Sequence, residues 1–258
     1  MNNCLWSFNI DQCVYELFLR PMPKLSTEEK ARLIDRERTN ILRSIEQPTI
    51  LFLCRLMPRF VTPDILTFIG MLGTGLVLLG FILARDNKIF LFLSIFGFAV
   101  NWFGDSLDGR IAYFRNIPRK WYGFALDAVM DWLSLVIMSI GYFLYVDGIY
   151  KLLVFTFASA YGWATIIAQI RYRITDKYTI DAGALGPTET RIIICLVLLA
   201  EVLWGGSIRV FSVAVNVLLV TINIIDTYKL VQLGDAKDKE IKRLKEEQEQ
   251  QQLQHHPS

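Results

Sequence analysis

Long apolar runs alternate with short polar segments along most of the chain. The 258 residues are 53% hydrophobic, and stretches long enough to cross a bilayer number six. They run at about 66–84, 89–104, 123–146, 149–170, 192–204 and 210–228. The fifth is short, and weak edges leave five or seven spans open. The pattern predicts an all-α integral membrane protein, a bundle of six transmembrane helices.

Polar segments flank the predicted bundle on both sides. We expect residues 1–49 to form a cytosolic segment, 50–230 the six-helix catalytic domain, and 231–258 a polar cytosolic tail, either helical or disordered. Ser26 and Glu29 have the spacing of a helix capping box. A helix beginning there would place these apolar residues on one face: Leu33, Ile34, Ile41, Leu42 and Ile45. This pattern favours an N-terminal amphipathic helix at the membrane interface over an ordinary solvated helix.

Positively charged residues lie almost entirely on one side of the predicted membrane topology. All but four of the 27 Lys and Arg residues fall outside the spans on one side of the predicted topology. The four exceptions are Arg85, Lys88, Lys151 and Arg209. Positive residues mark the cytosolic side, so both termini should face the cytosol, in contact with anionic head groups. No basic, aromatic-lined groove is visible in a soluble segment, so nucleic-acid binding is not expected.

The chain lacks the residue patterns that several kinds of site would need. The four cysteines form no C-x-x-C pair, and the only histidines are His255 and His256 in the polar tail. Structural zinc, a disulfide framework and haem ligation are therefore not expected. Neither a Walker A loop nor a dinucleotide glycine fingerprint is present. Proton transfer within the membrane is left to carboxylates.

Four aspartates interrupt the apolar pattern at the second and third spans. Asp105 and Asp108 are three residues apart, and Asp127 and Asp131 are four apart, so each pair shares one helical face. The short connection between the spans predicts antiparallel neighbours, with all four carboxylates converging just below the cytosolic surface. Oxygen ligands favour hard divalent cations such as Mg²⁺, Mn²⁺ or Ca²⁺. Four carboxylates can hold two such ions, an arrangement that suits phosphoryl-type transfer.

Other interpretations of these aspartates remain open. They could be solvated helix ends, partners of Arg110 or Arg115, or part of a cation or proton pathway. A transporter tends to place its carboxylates near the middle of the membrane. All four lie toward one face here, which favours chemistry on a substrate that enters from the cytosol.

Residues 105–131 resemble the signature of the CDP-alcohol phosphatidyltransferase family, D-x2-D-G-x2-A-R-x8-9-G-x3-D-x3-D. The matching positions are Asp105, Asp108, Gly109, Ala112, Gly123, Asp127 and Asp131. Tyr113 stands where the family has Arg. The six-span layout is also similar, so the resemblance extends over about residues 50–228.

The resemblance implies a reaction in phospholipid biosynthesis. The hydroxyl of an acceptor attacks the phosphate of a CDP-alcohol, and CMP is released. By this likeness Asp105, Asp108 and Asp127 hold two Mg²⁺ or Mn²⁺ ions together with Asp131, which is also the catalytic base. Arg115 or Arg110 would replace the missing family Arg. The residues implied for donor binding are Pro63, Asp64, Thr67, Gly109, Ala112, Tyr113, Arg115 and Gly123.

Two further segments have both an ordinary and a functional interpretation. Residues 62–67 are similar to the family's P-N-x-x-T segment, with Asp64 in place of Asn, but they also make a good helix start. Arg171, Arg173 and Arg191 are possible phosphate-binding residues, or else simply follow the positive-inside bias.

The sequence leaves the identity of the donor and of the acceptor open. The first interpretation is a CDP-diacylglycerol donor with a small polar acceptor such as inositol, inositol phosphate, glycerol phosphate or serine. The alternative is a CDP-ethanolamine- or CDP-choline-type donor with diacylglycerol or ceramide as acceptor. Other classes are a cation or proton transporter and an inactive scaffold. Glycines in the first span indicate close packing within the monomer or, less simply, a homodimer seam.

Overall fold

The computed structural model of the chain describes residues 42–175 and 187–255. These residues form seven α-helices and a 3-10 turn at Lys88–Phe90. The helices are α1 (Arg43–Leu56), α2 (Pro63–Leu83), α3 (Leu91–Phe114), α4 (Lys120–Tyr145), α5 (Tyr150–Thr175), α6 (Pro187–Leu203) and α7 (Ser207–His255). The predicted all-α membrane bundle is confirmed.

Within the described residues, five helices are long and apolar enough to cross a membrane, namely α2, α3, α4, α5 and α7. The chain is therefore an integral membrane protein. The predicted fifth span lies in α6, which has 17 residues. Such a helix is about 25 Å long, slightly less than a hydrocarbon core of about 30 Å. Among residues 42–175 and 187–255, five helices thus meet the length and composition of a membrane span, a number that the sequence had left open beside six.

The structure describes part of the segments that flank the bundle. Most of the predicted interfacial helix, including Ser26 and Glu29, lies outside the described residues. α1 crosses the predicted boundary at residue 49 and packs its buried Ile50 and Cys54 against Leu107 and Ile111 of α3. α7 continues as one helix to His255, so the described part of the polar tail is helical.

Glycines set the separation of α2 and α3, which form the most extensive helix pair. A Cβ added at Gly73 would lie 2.7 Å from the carbonyl oxygen of Gly97, and one added at Gly104 would lie 2.6 Å from the Cα of Gly70. No larger residue fits at such distances, because the two backbones are already in contact. The glycines that face α3 therefore pack within the monomer.

A polar network fixes α2, α3 and α4 relative to one another. Asn101 of α3 donates to the Gly70 carbonyl and to Thr74 Oγ1, both at 3.2 Å. Thr74 donates to Ser134 Oγ of α4 at 3.0 Å. Each of these buried polar groups thus has a partner on a neighbouring helix. The network holds in place the ends of α3 and α4 that carry the four aspartates, which we call the aspartate end of the bundle.

Glu201 organises the opposite end of the bundle. It is 4% exposed. Its carboxylate accepts hydrogen bonds from Lys88 Nζ at 3.0 Å, Tyr145 OH at 3.2 Å and the Ile208 amide at 3.1 Å. These contacts join α4, α6 and α7 to the turn before α3.

Candidate active site

Three of the four aspartates converge at the aspartate end. Asp105 of α3 and Asp127 and Asp131 of α4 each place a carboxylate oxygen within 4.8 Å of the other two. The tight contact of α2 with α3 and the network through Ser134 bring the two helices to this distance. Asp131 is the most exposed of the three. The spacing of the aspartates predicts convergence of all four carboxylates, and these three lie together.

Asp108 lies beside this cluster and is held by α2. Thr67 Oγ1 donates to its Oδ2 at 2.7 Å, and the Gly109 amide donates to its Oδ1. A small cavity of about 20 Å³ is lined jointly by Asp108, Asp105 and Asp127. Asp108 therefore faces the other carboxylates across a short gap, with its orientation fixed by Thr67.

Arg191 forms an ion pair with one carboxylate of the cluster. It lies in the first turns of α6, and its Nη2 is 2.6 Å from Asp105 Oδ2. Their side chains are 18% and 24% exposed, so the charges attract strongly in this partly buried place. One guanidinium offsets only part of the charge of four neighbouring carboxylates. The imbalance favours binding of a further cation.

The aspartate cluster fits a divalent metal ion. All the clustered side-chain ligands are oxygens, which hard cations such as Mg²⁺ and Mn²⁺ prefer. The ligand oxygens lie within 4.8 Å of one another, which is compatible with the roughly 4–5 Å across the oxygen shell of Mg²⁺ or Ca²⁺. The donor chemistry and the spacing both suit the group that the sequence predicts.

A large cavity opens beside the carboxylates. It has a volume of about 1320 Å³ and extends between α4, α5, α6 and α7. Near the aspartates it is lined by polar and aromatic residues. Farther along it is lined mostly by apolar ones such as Met138, Val197 and Phe211, with Ser212 and Asn216 among them. A molecule with a charged head and a long apolar part matches this lining.

The model of the CDP-alcohol phosphatidyltransferase family matches residues 60–224. The chain belongs to this family. It is therefore an enzyme that transfers a phosphate-linked alcohol from a CDP-alcohol and releases CMP, a transferase of phospholipid synthesis. Family members typically use a divalent metal, and the aspartate cluster can bind one. No curated protein matches the chain.

Family membership decides between the classes left open by the sequence. A cation or proton transporter and an inactive scaffold are not supported, because the match covers most of the chain and identifies an enzyme. The family match does not specify which CDP-alcohol is the donor or which alcohol is the acceptor.

Seven of the eight residues predicted to bind the donor line the cavity: Pro63, Asp64, Thr67, Gly109, Ala112, Tyr113 and Gly123. A Cβ added at Gly109 or Gly123 would meet no atom within 4 Å. Helix packing therefore does not require glycine at these two positions. The missing side chains at these two positions leave open space beside the cavity, and a bound nucleotide would need that space.

Arg115, the eighth residue predicted to bind the CDP-alcohol, makes its contacts outside the cavity. Its guanidinium donates to the carbonyls of Met57, Pro58, Arg59 and Val61 at 2.5–3.2 Å. Burial lowers the pKa of the Arg115 guanidinium below its ordinary value. It does not line the cavity. Arg115 connects the end of α3 to the segment between α1 and α2.

The predicted phosphate-binding arginines are also separated by the structure. Arg191 lines the cavity, whereas Arg171 and Arg173 do not. Arg171 Nη2 lies 3.7 Å from Asp226 Oδ1 of α7, and Arg173 is exposed. Of the three, only Arg191 is brought to the aspartates.

Sequence analysis missed Arg119, which lies in the connection between α3 and α4. Its Nη2 donates to Asp64 Oδ1 at 2.5 Å, and its guanidinium carbon is 4.0 Å from the centre of the Tyr122 ring. The hydrogen bond that Arg119 donates to the Asp64 carboxylate raises the pKa of Arg119 above its ordinary value. The acidic Asp64, in place of the family's Asn, was the available signal.

Proposed function

We propose that this enzyme uses CDP-diacylglycerol as donor and a small polar alcohol as acceptor. Inositol, inositol phosphate, glycerol phosphate and serine are the candidate acceptors. The observation that carries the proposal is the convergence of three carboxylates beside a cavity whose lining is polar near them and mostly apolar farther along. The charged end suits the diphosphate, and the apolar part suits the acyl chains.

The four aspartates are proposed as ligands of two Mg²⁺ or Mn²⁺ ions. Asp105, Asp127 and Asp131 supply the clustered oxygens, and Asp108 faces them with its orientation set by Thr67. When bound, such ions stabilise the negative charge that develops on the phosphate. Two ions would draw on the oxygens of all four carboxylates, and Asp108 would supply the ligand oxygens beyond the cluster of three.

Asp131 is proposed as the general base. It is the most exposed carboxylate of the cluster and lines the cavity, so an acceptor hydroxyl can reach it. Asp131 takes the proton of that hydroxyl while the oxygen forms its bond to the donor phosphorus. The bond from that phosphorus to the oxygen of CMP then breaks, and CMP leaves.

The acceptor is proposed to bind against α5. Tyr161, Thr165 and Gln169 recur every four residues, so they share one face of the helix, and all three line the cavity. Hydroxyl and amide groups in this arrangement suit a small polyhydroxylated or amino alcohol. Arg191, at the same end of the cavity, suits a phosphate on the acceptor or donor.

The active site is proposed to face the cytosol. Arg110, Arg115 and Arg119 all lie at the aspartate end, whereas Lys88 and Arg209 lie at the Glu201 end. The excess of positive residues at the aspartate end supports a cytosolic location for it and for both termini.

CMP release from purified protein tests this function. CDP-diacylglycerol should give CMP only with a polar acceptor and Mg²⁺ or Mn²⁺, and chelation with EDTA should abolish the release. Activity with CDP-ethanolamine or CDP-choline and diacylglycerol, but not with CDP-diacylglycerol, would establish the reversed pairing instead. Absence of metal-dependent CMP release from every CDP-alcohol would contradict the proposal.

A further inference from the structure

Arg119 and Asp64 form an ion pair at the mouth of the cavity. Their side chains are 51% and 46% exposed, and an exposed pair of this kind contributes little to stability. Both residues line the cavity, as does Tyr122, over whose ring the guanidinium lies. The pair therefore does more to fix the position of the guanidinium than to stabilise the fold.

The position of this guanidinium follows from the register of α2. Asp64 precedes Thr67 by three residues, a rise of about 4.5 Å along the helix. Thr67 donates to Asp108, so Arg119 stands about one helical turn farther out than the Asp108 carboxylate. The diphosphate of a CDP-alcohol has two linked phosphates. A donor with its reacting phosphate at the aspartates would direct its other phosphate outward, toward Arg119.

Two other arginines near the site are engaged with protein groups, and Arg110 also lines the cavity. Arg191 is paired with Asp105, and Arg115 donates to four carbonyls away from the cavity. Arg119 uses Nη2 for Asp64, and a guanidinium has five N–H donors in total. Donors therefore remain for a phosphate oxygen. The first turn of α2 partly offsets the negative charge of Asp64, because the dipole of a helix is positive at its start.

We propose that Arg119, positioned by Asp64, binds the phosphate of the donor that leaves as part of CMP. This inference rests on the proposed function and names a residue that determines donor affinity. Asp64 acts through Arg119 as a positioning residue. Tyr122 supports the guanidinium from its other side.

Steady-state kinetics of CMP release by the full-length protein test this inference. In Arg119→Gln, the KM for the CDP-alcohol should rise about 10- to 100-fold, as expected for loss of a charge-assisted hydrogen bond. The KM for the acceptor should change less than about twofold. Arg119→Lys should recover part of the donor affinity, and Asp64→Asn should raise the donor KM by a smaller factor than Arg119→Gln.

Arg85→Gln is the matched control, since Arg85 is an exposed arginine at the opposite end of the bundle. It should leave both KM values unchanged. Calorimetric titration with CMP should show the same loss of affinity in Arg119→Gln, independently of turnover. A donor KM and a CMP affinity within twofold of wild type in Arg119→Gln would overturn the inference while leaving the proposed function intact. Failure of the wild type to release CMP would overturn both.

Discussion

The two ends of the bundle treat their carboxylates in opposite ways. At one end, Glu201 accepts from a lysine, a tyrosine and a backbone amide, all supplied by the fold. At the other end, Asp105, Asp127 and Asp131 lie together, with Asp108 close by, and Arg191 is paired with one of them. The first carboxylate is satisfied by the protein itself. The second group concentrates negative charge beside an open cavity.

This difference separates a structural carboxylate from a set suited to chemistry. A buried charge with fixed donors stabilises one arrangement of helices, and removing it leaves its partners unsatisfied. Carboxylates crowded together repel one another, and a bound cation relieves the repulsion. Substitutions at the Glu201 end should therefore change stability, and those at the aspartate end should change activity.

Asp131→Asn should have the largest effect on activity. Loss of the proposed base lowers the rate of CMP release by about 10²–10⁴-fold, while thermal stability in detergent stays close to that of wild type. Asp147→Asn, at an exposed carboxylate of the opposite end, should be fully active. Wild-type turnover in Asp131→Asn would remove Asp131 from the mechanism.

Glu201→Gln should show the reverse behaviour. It weakens the interactions with Lys88 and the Ile208 amide and should lower the free energy of unfolding by about 3 kcal/mol. Activity per folded molecule should be unchanged. The control is Asp86→Asn, an exposed carboxylate near the same end, which should be neutral in a thermal unfolding assay. A stable but inactive Glu201→Gln protein would contradict the division between the two ends.

Gly73→Ala tests the helix contact that holds the aspartates in register. The added methyl group would press on the backbone of α3, and such overpacking costs about 1–3 kcal/mol. Gly75→Ala is the matched control on the same helix, because a Cβ there meets nothing within 4 Å. Equal melting temperatures for the two variants would show that the glycine contact does not limit the separation of α2 and α3.

Thr67→Val should have the smallest effect. It removes the hydroxyl that donates to Asp108 at nearly constant volume and should slow CMP release about 10-fold. Thr221→Val serves as control, since the exposed Thr221 hydroxyl donates to the Val217 carbonyl of its own helix. An unaltered rate in Thr67→Val would mean that Asp108 needs no support from α2.

The sequence was sufficient for the membrane fold and for the convergence of the aspartates. Both follow from local regularities: apolar runs of bilayer length, and acidic residues three or four positions apart on neighbouring helices. The length of α6 was less certain, because its apolar run is short and its preceding segment is polar. The helical course of the tail was one of two alternatives that composition left open.

Side-chain partners across the bundle could not be predicted in the same way. Arg110, Arg115 and Arg119 occupy one short region of sequence, and spacing alone does not show that the first and third line the cavity while Arg115 does not. Arg115 donates hydrogen bonds to backbone carbonyls between α1 and α2, and Arg119 donates to Asp64. These outcomes depend on the angle at which α1 and α2 meet the end of α3, which no local pattern encodes.

The central claim is that the aspartates hold divalent metal ions. Binding of Mn²⁺ to purified protein, measured by electron paramagnetic resonance, tests it most directly. The double variant Asp127→Asn/Asp131→Asn keeps the Asp105–Arg191 pair, so it should stay folded. The account predicts about two bound ions in the wild type and loss of tight binding in the double variant. Equal Mn²⁺ binding by both proteins would contradict it.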